Sequence, residues 1–167
     1  MTERSAPLSG VTYHKLTPSD ATAVQDLYGS LDEHDGYYRF FGPFPANLEP
    51  IAAQIATQDS THCAVGAFLQ GRLIGAANYV VLEDARRAEV ALVVAHHDQH
   101  SGVGTTLLGH LTDDARMNGI EQFVAEIMST NSKMMELLMD IDIPMRLQRH
   151  DNIIQAVFEL SPATSTD

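Results

Sequence analysis

Residues 88–111, "AEVALVVAHHDQHSGVGTTLLGHL", pass from a near-continuous apolar run, through a polar turn holding two glycines, into an amphipathic pattern. The run "AEVALVVA" is apolar on both faces, which predicts a central strand. From Gly102 the apolar positions Val103, Leu107, Leu108, Leu111 and Ala115 recur at helical spacing as far as Gly119. Upstream, "VTYHKL" predicts a strand. Thr17-Pro18-Ser19-Asp20 then offers a cap, a first-turn proline and a carboxylate suited to the positive helix end, so a helix is expected to Gly29. "LDEHDGYYRFFGPF" predicts a short helix and a turn, and "NLEPIAAQIATQ" another helix. "HCAVGAFLQ" and "RLIGAANYVVLE" predict strands joined by a turn at Gly71. Beyond Gly119 come a strand "EQFVAEIM", a helix from Asn131 to Asp140, and two closing strands, "IPMRLQ" and "NIIQAVFEL".

This order, β-α-α-α-β-β-β-α-β-α-β-β, predicts an α+β fold. The sheet should be mixed and mostly antiparallel, with six to seven strands flanked by about four to five helices. The strands on either side of the 102–118 helix should run parallel through that crossover, and the hairpins antiparallel. The termini "MTERSAPLSG" and "SPATSTD" are small and polar and read as tails (1–10 and 161–167), leaving a single domain over 11–160.

Composition narrows the partners. The chain's 167 residues suffice for one self-sustaining core. A net charge of −12, from 22 acidic and 10 basic residues, argues against nucleic acid and against an anionic membrane surface. It leaves room for a basic substrate, such as an amine or a lysine side chain, or serves only solubility. The lone Cys63 allows no intramolecular disulfide and no cysteine zinc cluster, and it fits a reducing compartment. No apolar stretch approaches the ~20 residues of a membrane helix, and a cytoplasmic protein is expected.

The glycine turn is the first candidate for chemistry. A helix start exposes main-chain N–H groups at a partly positive end, and glycine lets an anion approach them closely. Gln99-His100-Ser101-Gly102-Val103-Gly104-Thr105 therefore reads either as an anion pocket built from backbone or as a plain tight turn. It is neither a full G-x-G-x-x-G nor a P-loop.

The segment "VVAHHDQHSGVGTTLLGHL" resembles the acetyl-coenzyme A signature of the GNAT acetyltransferase superfamily, Q/R-x-x-G-x-G/A, which Gln99, Gly102 and Gly104 match. The element order is similar to that fold over roughly residues 11 to 160. The resemblance implies acetyl-CoA as donor, bound by Gln99, His100, Ser101, Gly102, Val103, Gly104 and Thr105 and by the backbone of Leu92, Val93 and Val94 on a splayed central strand. It also implies that Asn131, at the junction of strand and following helix, steadies the pantetheine arm. "YYRFFGPF" and "AEVALVV…FVAEIMSTNSKM" further resemble the Pat-type bacterial protein lysine acetyltransferases, implying a protein lysine as acceptor. Two departures stand out. Ser101 replaces the usual basic residue of the phosphate turn, and Leu138 stands where many members carry a tyrosine that protonates the leaving thiolate. They keep open a non-catalytic CoA-binding module as a second reading, beside an acetyltransferase for a small amine.

Glu89 is the candidate base. A carboxylate in an apolar strand costs free energy when charged, so burial is expected to raise its pKa toward neutrality. Such a group suits removal of a proton from an ammonium, and the Pat resemblance places the catalytic glutamate here. The alternatives are a solvated Glu89, or one paired with Arg86 or Arg87; Glu126 is the rival base. No nucleophile is evident, so direct transfer in a ternary complex is expected. His96, His97, His100 and His110 read as solvated histidines and not as a metal site. Met134, Met135 and Met139 read as core filler and Cys63 as a buried hydrophobe. Tyr37, Tyr38, Phe40 and Phe41 read equally as acceptor-groove lining or as packing.

Overall fold

Pro18 and Asp20 do start the first helix, though not as one continuous spiral. In the computed structural model, which describes residues 10–41, 45–95, 98–99 and 101–160, Pro18–Asp20 form a 3-10 turn. Thr17 N–H donates to Asp20 Oδ2 at 2.9 Å, and helix α1 (Ala21–Gly29) follows. The remaining helices are α2 (Glu33–Phe40), α3 (Glu49–Ile55), α4 (Val103–Met117) and α5 (Ser132–Met139). The strands are β1 (Val11–Lys15), β2 (His62–Leu69), β3 (Arg72–Val81), β4 (Arg87–Val94), β5 (Gln122–Met128), β6 (Met145–His150) and β7 (Ile153–Glu159). They form one sheet in the order β1-β2-β3-β4-β5-β7-β6. Every neighbouring pair is antiparallel except β4 and β5, which α4 joins as a crossover.

Alternation along the strands divides the apolar residues between two layers. Leu107, Leu111 and Ala115 of α4 and Leu138 of α5 pack with Val65, Phe123 and Phe158 on one face. Val24, Leu27 and Tyr28 of α1 and Ala52 and Ile55 of α3 pack with Ala64, Ala76 and Val93 on the other. Each Val, Leu, Ile or Phe among them, fully buried, stabilises the fold by roughly 1.5–3 kcal/mol. Met134 and Met135 join the first layer, whereas Met139 is 65% exposed and is not core.

A polar knot ties α4 to the sheet. Asp114 accepts from Tyr79 Oη at 2.8 Å and Asn118 Nδ2 at 3.1 Å, and pairs with Lys15 Nζ at 2.6 Å. Burial pushes the Asp114 carboxyl up, but hydrogen bonds from Lys15, Cys63 and Tyr79 outweigh it and hold the group below its ordinary value. Burial pushes the adjacent Cys63 thiol up to about 12, so this cysteine is no nucleophile.

The feature that positions the site is a parting of strands. Only Arg87, Ala88 and Glu89 of β4 pair with β5, opposite Gln122, Phe123 and Val124. Beyond them β4 stays with β3 as far as Val94, and β5 stays with β7 as far as Met128. A wedge opens between the two in the middle of the sheet.

Candidate active site

The wedge is the floor of a cleft of about 1500 Å³ that both faces of the sheet and α2, α3, α4 and α5 line. Its β4 wall can be read from the hydrogen bonds. Ala95 N–H donates to Ile74 O and Leu82 N–H to Arg87 O, so odd-numbered β4 residues turn their main-chain groups toward β3. The even-numbered ones, Val90, Leu92 and Val94, turn theirs toward the departed β5. Val93, although it lines the cleft, spends its amide on β3. The Leu92 and Val94 amides face open space and can donate to a ligand.

At the end of β4 the turn is built to bring backbone close to that space. Gly102 caps α4 with φ 87°, a left-handed conformation that favours glycine, and a Cβ there would meet nothing within 4 Å. Gly104 is needed for a different reason. A Cβ on it would overlap Leu137 Cδ1 of α5 and stand 3.3 Å from Leu92 Cδ2. The first helical bond is Thr106 N–H to Gly102 O at 3.0 Å, so the N–H groups of Val103, Gly104 and Thr105 have no acceptor within the helix. Ser101 turns its hydroxyl inward to Asp98 O. His100, with His96 and His97, lies outside the described residues.

Gln99 and α2 close the near bank. Gln99 Nε2 donates to Val94 O at 3.0 Å and to Asp35 Oδ2 at 3.1 Å, and Asp35 Oδ1 lies 3.6 Å from Lys133 Nζ of α5. Tyr38 Oη donates to Thr130 O at 3.1 Å. Tyr38 and Phe41 line the cleft, while Phe40 packs on Tyr28 with ring centroids 5.9 Å apart. Asn131 also lines it. Its Oδ1 caps α5 by accepting Met134 N–H at 3.2 Å, which leaves Nδ2 to donate.

Glu89 corrects an expectation. It is exposed, not buried, because pairing with β5 ends at this residue and the helices on its face do not cover it. Arg86 reaches Asp84 and Arg87 donates to Gln122, so neither holds Glu89. Glu126, two residues beyond Val124 on the same face, is likewise exposed and cleft-lining. Leu138 is 2% exposed and offers no proton. Among the described residues no group of three His, Cys, Asp or Glu side chains could hold a metal ion. His110 instead lies against Tyr13, ring centroids 5.2 Å apart.

These residues fit a long acyl carrier. Open strand amides suit an extended arm, an uncapped helix start with a bare glycine suits a diphosphate, and the wedge passes between them. The model of the GNAT acetyltransferase family matches residues 26–139. The chain belongs to that family. The GNAT domain of S. lividans PAT is similar at 26% identity, with a TM-score of 0.81 over 89% of this chain and 90% of that one. YncA from Salmonella typhimurium, solved with its cofactor acetyl-CoA, is 18% identical with a TM-score of 0.73, covering 95% of this chain and 99% of its own. The ribosomal-protein-S18-alanine N-acetyltransferase of Escherichia coli is 17% identical with a TM-score of 0.67, covering 94% and 97%. This GNAT enzyme is an N-acetyltransferase, and acetyl-CoA is the family's acetyl donor.

Several cleft residues escaped the sequence reading. Asp35 and Lys133 meet across 98 positions of chain, and Asn78 and His62 reach the cleft from inside strands read only as packing. No local pattern marks them.

Proposed function

We propose that this GNAT enzyme acetylates the side-chain amine of lysine in a protein acceptor, in the cytoplasm, with residues 11–160 acting as one catalytic domain. The observation that carries the reading is the acidic lining beside the open β4 wall. Asp35, Glu89, Glu126, Glu136 and Asp140 line the cleft against Arg39 and Lys133. That balance draws in a cation and leaves a carboxylate beside the place where the acyl group would lie. Similarity to the GNAT domain of S. lividans PAT, together with the Pat-like segments Tyr37–Phe44, Ala88–Val94 and Phe123–Met134, favours a protein lysine over a small amine.

In this reading the main chain from Gln99 to Thr105 holds the diphosphate, and Asn131 Nδ2 steadies the arm. Bound there, acetyl-CoA supplies an acyl group activated as a thioester. The Leu92 and Val94 amides donate to the acyl oxygen, where negative charge develops during attack. Glu89 accepts a proton from the incoming ammonium through water, so that a neutral amine can attack. Exposed and lining the cleft beside the open β4 wall, Glu89 can reach the amine through water. The test is to incubate the enzyme with acetyl-CoA and lysine-bearing proteins, or with free polyamines, following thiol release and acetylated residues by mass spectrometry. Acetyl on protein lysines is the expected outcome; transfer to polyamines alone would replace the acceptor class.

A further inference from the structure

One row of paired positions crosses the sheet through His62, Val80, Glu89 and Val124. Paired residues share a face, so His62 and Glu89 look out of the same side, two strands and roughly 10 Å apart at the backbone. Both line the cleft. The imidazole of His62 is held. Its Nδ1 lies 3.0 Å from Asp59 Oδ1 and 2.9 Å from Thr61 Oγ1, and Thr61 donates both its N–H and its hydroxyl to that same Asp59 oxygen. These bonds, the Thr61 N–H first and the His62 ring next, bring the Asp59 carboxyl down to about 2. Asp59 is therefore an anion throughout the neutral range and can only accept. In the neutral ring Nδ1 is then the nitrogen that carries the proton, and Nε2 keeps its lone pair. Among the described residues nothing hydrogen-bonds Nε2.

We propose that His62, oriented by Asp59, takes up the proton that Glu89 removes from the acceptor amine and hands it to solvent. This deepens the amine-acetylating reading above and rests on it. Transfer of acetyl from a thioester to an ammonium forms one C–N bond and breaks one C–S bond. Of the two protons that nitrogen loses, one ends on sulfur and the other must leave. A carboxylate that has taken that proton has to be cleared before the next turnover. An imidazole with a free lone pair on the same face of the cleft clears it through solvent, and the Asp59 anion stabilises the imidazolium that forms. Asp59 from the preceding turn contacts the ring, and Glu89 from β4 shares its face of the sheet. α3, packed on β2, brings Ile55 and Gln54 to the cleft and no charge.

His62→Ala should lower kcat by about tenfold or more near neutral pH while leaving acetyl-CoA affinity unchanged, and added imidazole should restore most of the lost rate. A side chain that only holds the turn would show no such rescue. His62→Gln, whose amide can still donate to Asp59, keeps the fold testable and should show the same loss. Independently of turnover, 15N spectra of the ligand-free protein should place the His62 proton on Nδ1. The opposite tautomer, or a His62→Ala variant as fast as wild type, overturns this inference alone. A wild type that transfers acetyl to no amine overturns it together with the reading it rests on.

Discussion

The two ends of the cleft are made of different material. In the proposed reading the donor end is main chain: the Leu92 and Val94 amides, the first turn of α4, and two glycines that keep side chains out of the way. The acceptor end, in that reading, is side chain: Glu89, Glu126, His62 and the aromatic and acidic groups of α2, which line the cleft from elements far apart in sequence. A backbone site is rigid and insensitive to most substitutions, since every residue but proline supplies an N–H. A side-chain site can be retuned one residue at a time without touching the fold. On the proposed reading, that division lets a chain of charge −12 take an anionic donor at one end and a cationic acceptor at the other.

The comparison makes predictions that can break it. The largest effect should come from the acceptor end: Glu89→Gln should cut kcat by about 100-fold with acetyl-CoA binding intact by calorimetry. Equal turnover would remove Glu89 from the chemistry. At the donor end, Gly104→Ala forces a methyl into Leu137, at a cost of about 2 kcal/mol. That cost should appear as a lowered Tm, and acetyl-CoA Kd should weaken as the turn shifts to relieve the overlap. Away from both ends, Asp114→Asn should lower stability by about 1–2 kcal/mol at neutral pH without altering KM for acetyl-CoA. Because the folded carboxyl titrates below its unfolded value, Asp114's share is present above about pH 4 and disappears as pH falls through the folded value. Lys15 is raised above 10.5, chiefly by its hydrogen bond to Asp114, so its share holds below that pH and is lost as pH rises past the folded value. Urea melts of wild type and variant should therefore converge in acid. The smallest effect should come from Ser101→Arg. It adds a cation where backbone already suffices, tightening Kd by about two- to fivefold in low salt and less in high salt.

The same division explains what could be read from the chain. Element order and type were legible throughout, because periodicity is a local property: β4 by its two-sided apolarity, α4 by Leu107, Leu108, Leu111 and Ala115. The glycine turn announced itself because Gly102 and Gly104 meet backbone demands. The environment of Glu89 did not. An apolar strand suggested burial on both sides, yet the coverage of residue 89 depends on where β5 parts company and on how far the α1–α3 layer extends. Both are set by packing between distant segments. The Asp35–Lys133 contact and the shared row of His62 and Glu89 are non-local for the same reason, and a strand's partner is not written in its own residues. Thr17 to Asp20 marked a helix start correctly but gave no sign that its first turn would wind as 3-10.

The parted strands leave a kinetic signature as well. Leu92 and Val94 lie in the fourth of seven strands, where backbone amides ordinarily trade their hydrogens for deuterium over hours or longer. With no neighbour on their outer side, they should exchange in the ligand-free enzyme as fast as positions at the rim of a sheet. Occupancy of the wedge should slow them while Val93 stays protected throughout. A one-residue alternation in deuterium uptake would thus map the groove from solution alone.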